Sequence, residues 1–222
     1  NTLILSFAKI LFGFPAPIIL ALMFNEITQK ATKRVFQTIT YMPYFLSWVV
    51  VGGMLSAMLA VDGGSVNDFL VRFGMIKEPI NFLSEPKYFR TILVASNIWK
   101  SIGYNAIIYI AAIAGINHEM YEAAEVDGAG KWKTFFYITL PNLRPVAFTV
   151  VILSVLNSFK AFREVYMAAG SYPQENIYLL QHVFNNWFQT LSVDKMAAAS
   201  VMLAFVIAVF VLLLERSWER EG

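Results

Sequence analysis

Residues 121–141, YEAAEVDGAGKWKTFFYITLP, form a charged, glycine-containing insert in a chain that is otherwise apolar. The 222 residues are 58% hydrophobic and only 14% charged, whereas soluble globular domains carry about a quarter charged residues. The insert holds Glu122, Glu125 and Asp127, and long apolar segments lie on both sides of it. The composition therefore indicates a membrane protein, and the insert is a part that must lie outside the lipid.

Five apolar segments are long enough to cross the hydrocarbon core, which takes about 20 residues in a helix. They predict an all-α integral membrane protein with a single transmembrane domain over 1–222 and spans at about 3–24, 38–60, 91–116, 145–168 and 196–214. Pro15 and Pro17 should kink the first span. Gly52 and Gly53 should let the second span pack closely against a neighbour. The chain starts at Asn1 directly in apolar sequence, which is expected of a cut inside a longer protein.

The distribution of basic residues predicts the orientation. The connections at 25–37 and 117–144 and the C-terminal tail hold eight Lys or Arg residues, against five in the connections at 61–90 and 169–195. Because cytoplasmic loops are enriched in basic residues, the insert and the C-terminus are predicted to lie inside the cell. In the outer connection, apolar residues at three- and four-residue spacing predict an amphipathic interfacial helix, either a simple connector or a partner-docking element.

The insert itself predicts two short helices joined by a glycine bend. In the first helix, Glu119, Glu122 and Glu125 recur every third residue and share one face, beside a small patch of alanines. Gly128, after Asp127, is a natural helix stop because glycine adopts the positive φ that a C-cap often needs. Two short helices joined in this way could dock against a soluble protein, although a solvated connector would have the same sequence pattern.

The second helix of the insert is expected to follow Gly130. Trp132, Phe135 and Phe136 fall on one side of it, together with Thr139. Pro141 is expected to end this helix, and Pro145 to open the next span. Both short helices would then lie roughly parallel to the membrane.

The spacing of the insert resembles the cytoplasmic EAA loop of binding-protein-dependent ABC-importer permeases of the type I fold. The matching pattern is Glu122-Ala123-Ala124, three residues, Gly128, nine residues, and Ile138-x-Leu140-Pro141. The resemblance covers nearly the whole chain and is closest to the carbohydrate permeases of the maltose-type and lipoprotein-linked oligosaccharide branch, in FGFPAPIILALMFNEI, YMPYFLSWVVVGGM and PINFLSEPKYFRTILVASNIWKSIGYN. In that family the five spans form the core, and one further N-terminal helix usually precedes them.

The resemblance implies that the first helix of the insert is a coupling helix, seated in a cleft of a dimeric ATP-binding subunit. The residues assigned to coupling are Glu122, Ala123, Ala124, Asp127, Gly128, Ile138, Leu140 and Pro141. It further implies a second permease subunit, usually a different chain, an extracellular solute-binding protein that delivers sugar, and a multi-pass location in the bacterial cytoplasmic membrane.

No cofactor or catalytic residue is expected on this chain, and ATP and Mg²⁺ belong to the partner subunit on this view. The tetrapeptide GAGK at 128–131 is not a P-loop, because Glu125 and Trp132 stand where that motif needs glycine and Ser or Thr. His118 and His182 match no metal-ligand spacing, and the chain has no cysteine.

Polar side chains inside the spans are candidates for the substrate pathway, because lipid disfavours them. The candidates are Asn97, Lys100, Ser101, Tyr104 and Asn157. The first four share a helical face, and the rings of Trp99 and Tyr104 could stack on a pyranose. By resemblance this stretch aligns with the sugar-contacting segment of the maltose-type permeases, from which Lys100 and Ser101 depart. A structural alternative, in which these groups bond neighbouring helices, stays open.

Two other functions remain open from the sequence. The same fold could import another solute such as an amino acid or phosphate, which would need cationic anchors, and Lys100 is the only candidate deep in a span. A membrane enzyme acting on lipid-linked sugars would need clustered carboxylates or histidines at one membrane face. The only acidic cluster is the insert itself.

Overall fold

The computed structural model describes residues 1–158 and 178–219, and this part is helical, without strands. The helices are α1 (Thr2–Gly13), α2 (Pro15–Glu26), α3 (Lys30–Phe45), α4 (Trp48–Met58), α5 (Ser65–Arg72), α6 (Pro86–Ala114), α7 (His118–Val126), α8 (Lys131–Thr134), a π-helical turn (Phe135–Thr139), α9 (Leu140–Ser158), α10 (Leu180–Gln189) and α11 (Val193–Glu219). This composition agrees with the predicted all-α membrane fold.

Three described segments are long and apolar enough to cross a membrane alone: Thr2–Glu26, Lys131–Asn157 and Val193–Leu213. The number rises to five if α3 with α4, and α6 with α7, each count as one broken span. The predicted span at 145–168 runs past α9 into residues outside the described ones. The five-span arrangement therefore stays a prediction.

The chain divides into two compact units. One contains Asn1–Phe7, Trp48–Leu93 and Val155–Gly222, and the other contains Ala8–Ser47 and Val94–Ser154. In the second unit, α2, α6 and α9 share a core because small and apolar residues recur on their facing sides. The buried core residues are Ala21, Ala106, Tyr109, Ile113, Leu143 and Val150.

The second predicted span is interrupted. Helix α3 contains Pro43, and Leu46 then takes an extended conformation with ψ 138°, with its amide donating to the Pro43 carbonyl at 3.2 Å. Proline weakens the turn before it, yet α3 stays helical through Pro43, so the break at Leu46 lies after the turn that the proline affects. The segment at 38–60 therefore consists of parts of two helices, α3 and α4, and its role as one broken span stays a prediction.

Close helix contact occurs at Gly103 of α6. A Cβ atom there would lie 2.1 Å from the carbonyl oxygen of Thr40, a backbone atom of α3. At Gly53, where the sequence suggested close packing, a Cβ would meet nothing within 4 Å. The close backbone contact thus lies at Gly103 in the third predicted span and not at Gly53, while the neighbouring Gly52 is buried in α4 and its packing role stays a prediction.

In the first unit, polar side chains hold the non-helical segments. Asn67 is fully buried, and its amide bonds the carbonyls of Ala60 and Ile80 and the Ile80 amide at 2.8–3.0 Å. Helix α10 lies where the sequence predicted an amphipathic helix. Near its start, burial lowers the pKa of His182, whose Nδ1 accepts from the Leu179 amide at 3.2 Å.

We expect Gly103→Ala to destabilise the protein by about 1–3 kcal/mol, because the new methyl group meets backbone and the two helices must separate. Gly53→Ala is the matched control, since it adds the same methyl group to a helix in open space and should be neutral or stabilising by up to ~1 kcal/mol. Thermal unfolding midpoints in detergent measure both. Equal midpoints for the two variants would contradict the assigned α3–α6 contact.

Candidate functional site

Helix α7 has a defined start and stop. The Asn117 side chain accepts from the Glu119 amide at 3.0 Å, which caps the N-terminus. Gly128 has φ +69°, and its amide donates to the Glu125 carbonyl at 3.0 Å, while the Ala129 amide donates to the Ala124 carbonyl at 2.8 Å. This pair of bonds is a Schellman motif, and it requires the left-handed conformation that glycine adopts without strain.

The face that α7 presents is open and acidic. Its axis makes an angle of 68° with that of α6, so the helix turns sharply away from the segment before it. The exposed residues around its end are Glu122, Ala123, Glu125, Val126, Asp127 and Gly128, with Ala124 half-buried. Val126, although apolar, is 87% exposed.

The second half of the insert differs from the prediction. Helix α8, the π-helical turn and α9 follow one another without a gap, so Pro141 does not end a helix and Pro145 lies inside α9. In the π turn the Leu140 amide bonds the Phe135 carbonyl, five residues back. This wider turn comes directly before Pro141 and makes room for its ring, so the chain continues as a helix.

The predicted coupling residues Ile138, Leu140 and Pro141 therefore lie in the π turn and the first turn of α9. Leu140 and Pro141 are exposed, whereas Ile138 is half-buried. They are not part of α7, and the predicted set is divided among α7 with its C-cap, the π turn and α9. A partner that binds only α7 would not use all of it.

Two polar contacts fix the insert, one between α7 and the π turn inside it and one between α8 and α2. The hydroxyl groups of Tyr121 and Thr139 are 3.0 Å apart, and Thr139 is buried. The Lys131 ammonium group forms an ion pair with Glu26 at the end of α2. Between these contacts lies an open groove of about 810 Å³ with apolar walls, lined among others by Ile19, Met23, Glu125, Trp132 and Phe135.

The polar residues of the third predicted span lie in α6, and Lys100 has the best-defined surroundings. Its ammonium group donates to the Tyr44 carbonyl of α3 at 2.6 Å and lies 5.1 Å from the centroid of the Tyr44 ring. That ring stacks on Tyr104, with centroids 3.9 Å apart and planes 5° apart. Lys100 is only 9% exposed, whereas both tyrosine rings keep exposed surface.

The remaining candidates are less closely connected. The Ser101 hydroxyl donates to the Asn97 carbonyl at 2.7 Å, a bond within α6. Trp99 is exposed and stands five residues from Tyr104, about 140° around the helix, so the two rings lie on different faces of α6. Asn157 is exposed near the end of α9. Tyr44 was not predicted, and only its position just after Pro43 could have pointed to it.

Among residues 1–158 and 178–219, no group of three or more His, Asp or Glu side chains could hold a metal ion. The site thus consists of an exposed, capped helix with an acidic face and a separate α3–α6 contact that carries a buried cation. The first arrangement is suited to docking, and the second is suited to contacts with a polar solute.

Comparison with known proteins gives consistent matches. The profile of the family described as "Binding-protein-dependent transport system inner membrane component" matches residues 13–218. The Bacillus subtilis polygalacturonan/rhamnogalacturonan transport system permease protein YteP is 34% identical over all of this chain and 69% of its own length. The B. subtilis protein LplB is 38% identical over 77% of this chain, and the match covers 54% of LplB.

A solved structure is also similar. A bacterial alginate ABC transporter, crystallised with an alginate pentasaccharide-bound periplasmic protein, contains a chain that matches with a TM-score of 0.89 and 36% identity. The match covers 99% of this chain and 76% of that chain. The fold of the whole described chain is therefore that of an ABC-transporter subunit.

We expect Tyr121→Phe to destabilise the protein by about 1 kcal/mol, because the buried Thr139 hydroxyl loses its partner. Tyr137→Phe is the matched control, since it removes the same atom from a side chain that is 80% exposed. Denaturation in detergent with each variant gives the comparison. A Tyr121→Phe protein as stable as Tyr137→Phe would show that the contact contributes nothing.

Proposed function

Because the chain belongs to the family of inner membrane components of binding-protein-dependent transport systems, we propose that it is the permease subunit of an ATP-driven importer. It forms half of the translocation pathway for a sugar or oligosaccharide that an extracellular solute-binding protein delivers. The single observation behind this proposal is α7, an exposed acidic helix that ends in the Schellman motif at Gly128.

The coupling role rests on what α7 offers to a partner. Glu122, Glu125 and Asp127 provide carboxylates for Arg or Lys side chains, and Ala123 and Gly128 provide a surface that another backbone can approach. The partner is an ATP-binding subunit, present as a dimer, that holds the ATP and Mg²⁺. ATP hydrolysis belongs to that subunit, and this chain contributes force transmission through the coupling residues in α7, the π turn and the start of α9.

The other partners and the location follow from the same family. A second permease subunit, a different chain in our proposal, completes the pathway. The protein is a multi-pass component of the bacterial cytoplasmic membrane, with α7 and the C-terminus on the cytoplasmic side. The excess of Lys and Arg in the connections on that side supports this orientation.

For the cargo we propose a carbohydrate. The similar permease YteP is named for polygalacturonan and rhamnogalacturonan transport, and the similar solved transporter is named for alginate, which supports a carbohydrate cargo. Within the chain, Asn97, Lys100, Ser101 and Tyr104 on α6 and Asn157 on α9 are the proposed pathway residues. Amide, hydroxyl and aromatic groups are suited to sugar hydroxyl groups and ring faces.

The two alternatives have less support. An amino-acid or phosphate importer would need a cationic anchor for its solute, but the Lys100 ammonium is directed at the Tyr44 carbonyl. An enzyme acting on lipid-linked sugars would need a cluster of carboxylates or histidines. Of the acidic residues of α7, Glu125 lines the groove, whereas Glu122 is exposed and does not line it.

The cargo is tested with the intact transporter, including its second permease, ATP-binding and solute-binding subunits, reconstituted in vesicles. We expect ATP-dependent uptake of an oligogalacturonide, an alginate oligosaccharide or a neutral oligosaccharide, and no uptake of phosphate or amino acids. Uptake of radiolabelled probes is the measurement. ATP-dependent uptake of phosphate or an amino acid, with none of any sugar, would contradict the carbohydrate assignment.

We predict that Gly128→Trp abolishes transport and association with the ATP-binding subunit, because the indole ring blocks the partner's approach to α7. Gly74→Trp is the matched control: Gly74 also has φ +69° and open space around its Cβ position, so both variants bear the same backbone strain. The control should still bind the ATP-binding subunit. Co-purification and binding-protein-stimulated ATP hydrolysis are measured, and loss of association in both variants, or in neither, would oppose the docking role.

A further inference from the structure

The end of α3 leaves backbone carbonyl groups without helical partners inside an apolar segment. The last carbonyls of a helix have no amide four residues ahead to bond them, and α3 ends at Phe45, so Tyr44 carries one of these carbonyls. Water cannot solvate such a group in the hydrocarbon region, so the protein must supply a donor. The donor that reaches Tyr44 is the Lys100 ammonium group, at 2.6 Å.

Three features make this contact more than an ordinary hydrogen bond. A cation at a helix C-terminus is favoured by the partial negative charge there. The same ammonium group lies 5.1 Å from the Tyr44 ring centroid, within the range of a cation–π interaction. Gly103, about one turn further along α6, lets the backbone of Thr40 come close, so α3 and α6 are in contact both at Lys100 and one turn beyond it.

We propose that Lys100 is a positioning residue: it closes the end of α3 against α6 and thereby holds the Tyr44 ring flat on Tyr104, and these two rings form one aromatic surface for the transported sugar. Lys100 itself does not contact the sugar. The stacked rings are 3.9 Å apart and nearly parallel, and each keeps a substantial exposed part. Each ring covers one face of the other, so the sugar would meet the exposed remainder of the pair, where the ring faces carry the negative quadrupole that attracts the C–H groups of a pyranose ring.

This inference rests on the proposed function. It assigns Lys100 the role of a positioning residue instead of the role of a direct ligand of the cargo. A direct ligand would bind the carboxylate groups of an acidic sugar, so its loss would change the preference between acidic and neutral sugars. A positioning residue acts through Tyr44 and Tyr104, so its loss should reduce the uptake of both kinds in parallel.

The test uses the complete reconstituted transporter, with uptake expressed per assembled complex. Lys100→Met keeps the length of the side chain and removes its charge, and we expect uptake of oligogalacturonide and of a neutral oligosaccharide to fall about tenfold each. Binding-protein-stimulated ATP hydrolysis should change by less than about twofold. Lys100→Arg, which retains a cation and a donor, should keep clearly more uptake than Lys100→Met.

The pathway from Lys100 to Tyr44 is tested by a double-mutant cycle. Tyr44→Leu removes the ring, and we expect the double variant Lys100→Met/Tyr44→Leu to transport no worse than the poorer single variant, because both changes affect one arrangement. Tyr44→Phe, which keeps both ring and carbonyl, should transport at the wild-type rate. If Lys100→Met does not assemble, the comparison of Tyr44→Leu with Tyr44→Phe decides whether the ring is needed.

Several results would overturn the role of Lys100: wild-type uptake in Lys100→Met, a changed preference between acidic and neutral sugars, additive losses in the cycle, or equal uptake by Tyr44→Leu and Tyr44→Phe. Each leaves the wild-type complex a working importer, so the proposed function stands. A wild-type complex that imports no sugar would instead count against the proposed function.

Discussion

A backbone carbonyl that leaves an α-helix within a bilayer needs a donor from the protein, since the surrounding lipid has none. Tyr44 lies in the predicted second span, and its carbonyl at the end of α3 accepts from one long cationic side chain of α6, Lys100. Gly103 is what lets α6 come close enough, because any Cβ there would strike the Thr40 carbonyl. The end of α3, the buried Lys100 ammonium group and the absence of a side chain at Gly103 are thus parts of one arrangement.

Side-chain contacts hold the insert that bears α7 against neighbouring helical segments. Tyr121 bonds the buried Thr139 near the start of α9, and Lys131 pairs with Glu26 at the end of α2. An exposed ion pair contributes only about 0–1 kcal/mol, so the partly buried hydroxyl contact is the stronger of the two. A displacement of α7 would therefore reach α9 more directly than α2.

The elements that local patterns define could be predicted from the sequence. The stop at Gly128, the acidic face of α7 and the helix at 180–189 follow from glycine, charge spacing and apolar periodicity. What failed depends on non-local contact or on hydrogen-bond register. From the sequence, Pro141 predicts a helix end, because the π turn before it cannot be recognised there. Likewise, Gly53 is as plausible a packing site as Gly103 in the sequence, because only the structure shows which atoms lie next to each glycine. Tyr44 belongs to the candidate site only because Lys100 of α6 contacts it, and that contact cannot be predicted from the sequence.

The π turn at Phe135–Thr139 places one extra residue within a continuous helical segment. Since each residue of an α-helix advances the side-chain direction by about 100°, the facings of α8 and α9 are out of step by roughly that amount. A helical wheel drawn through the whole segment would assign Trp132 and Leu143 to the wrong sides relative to each other. The direction of each side chain in α9 therefore has to be counted from Leu140 and not from the start of α8.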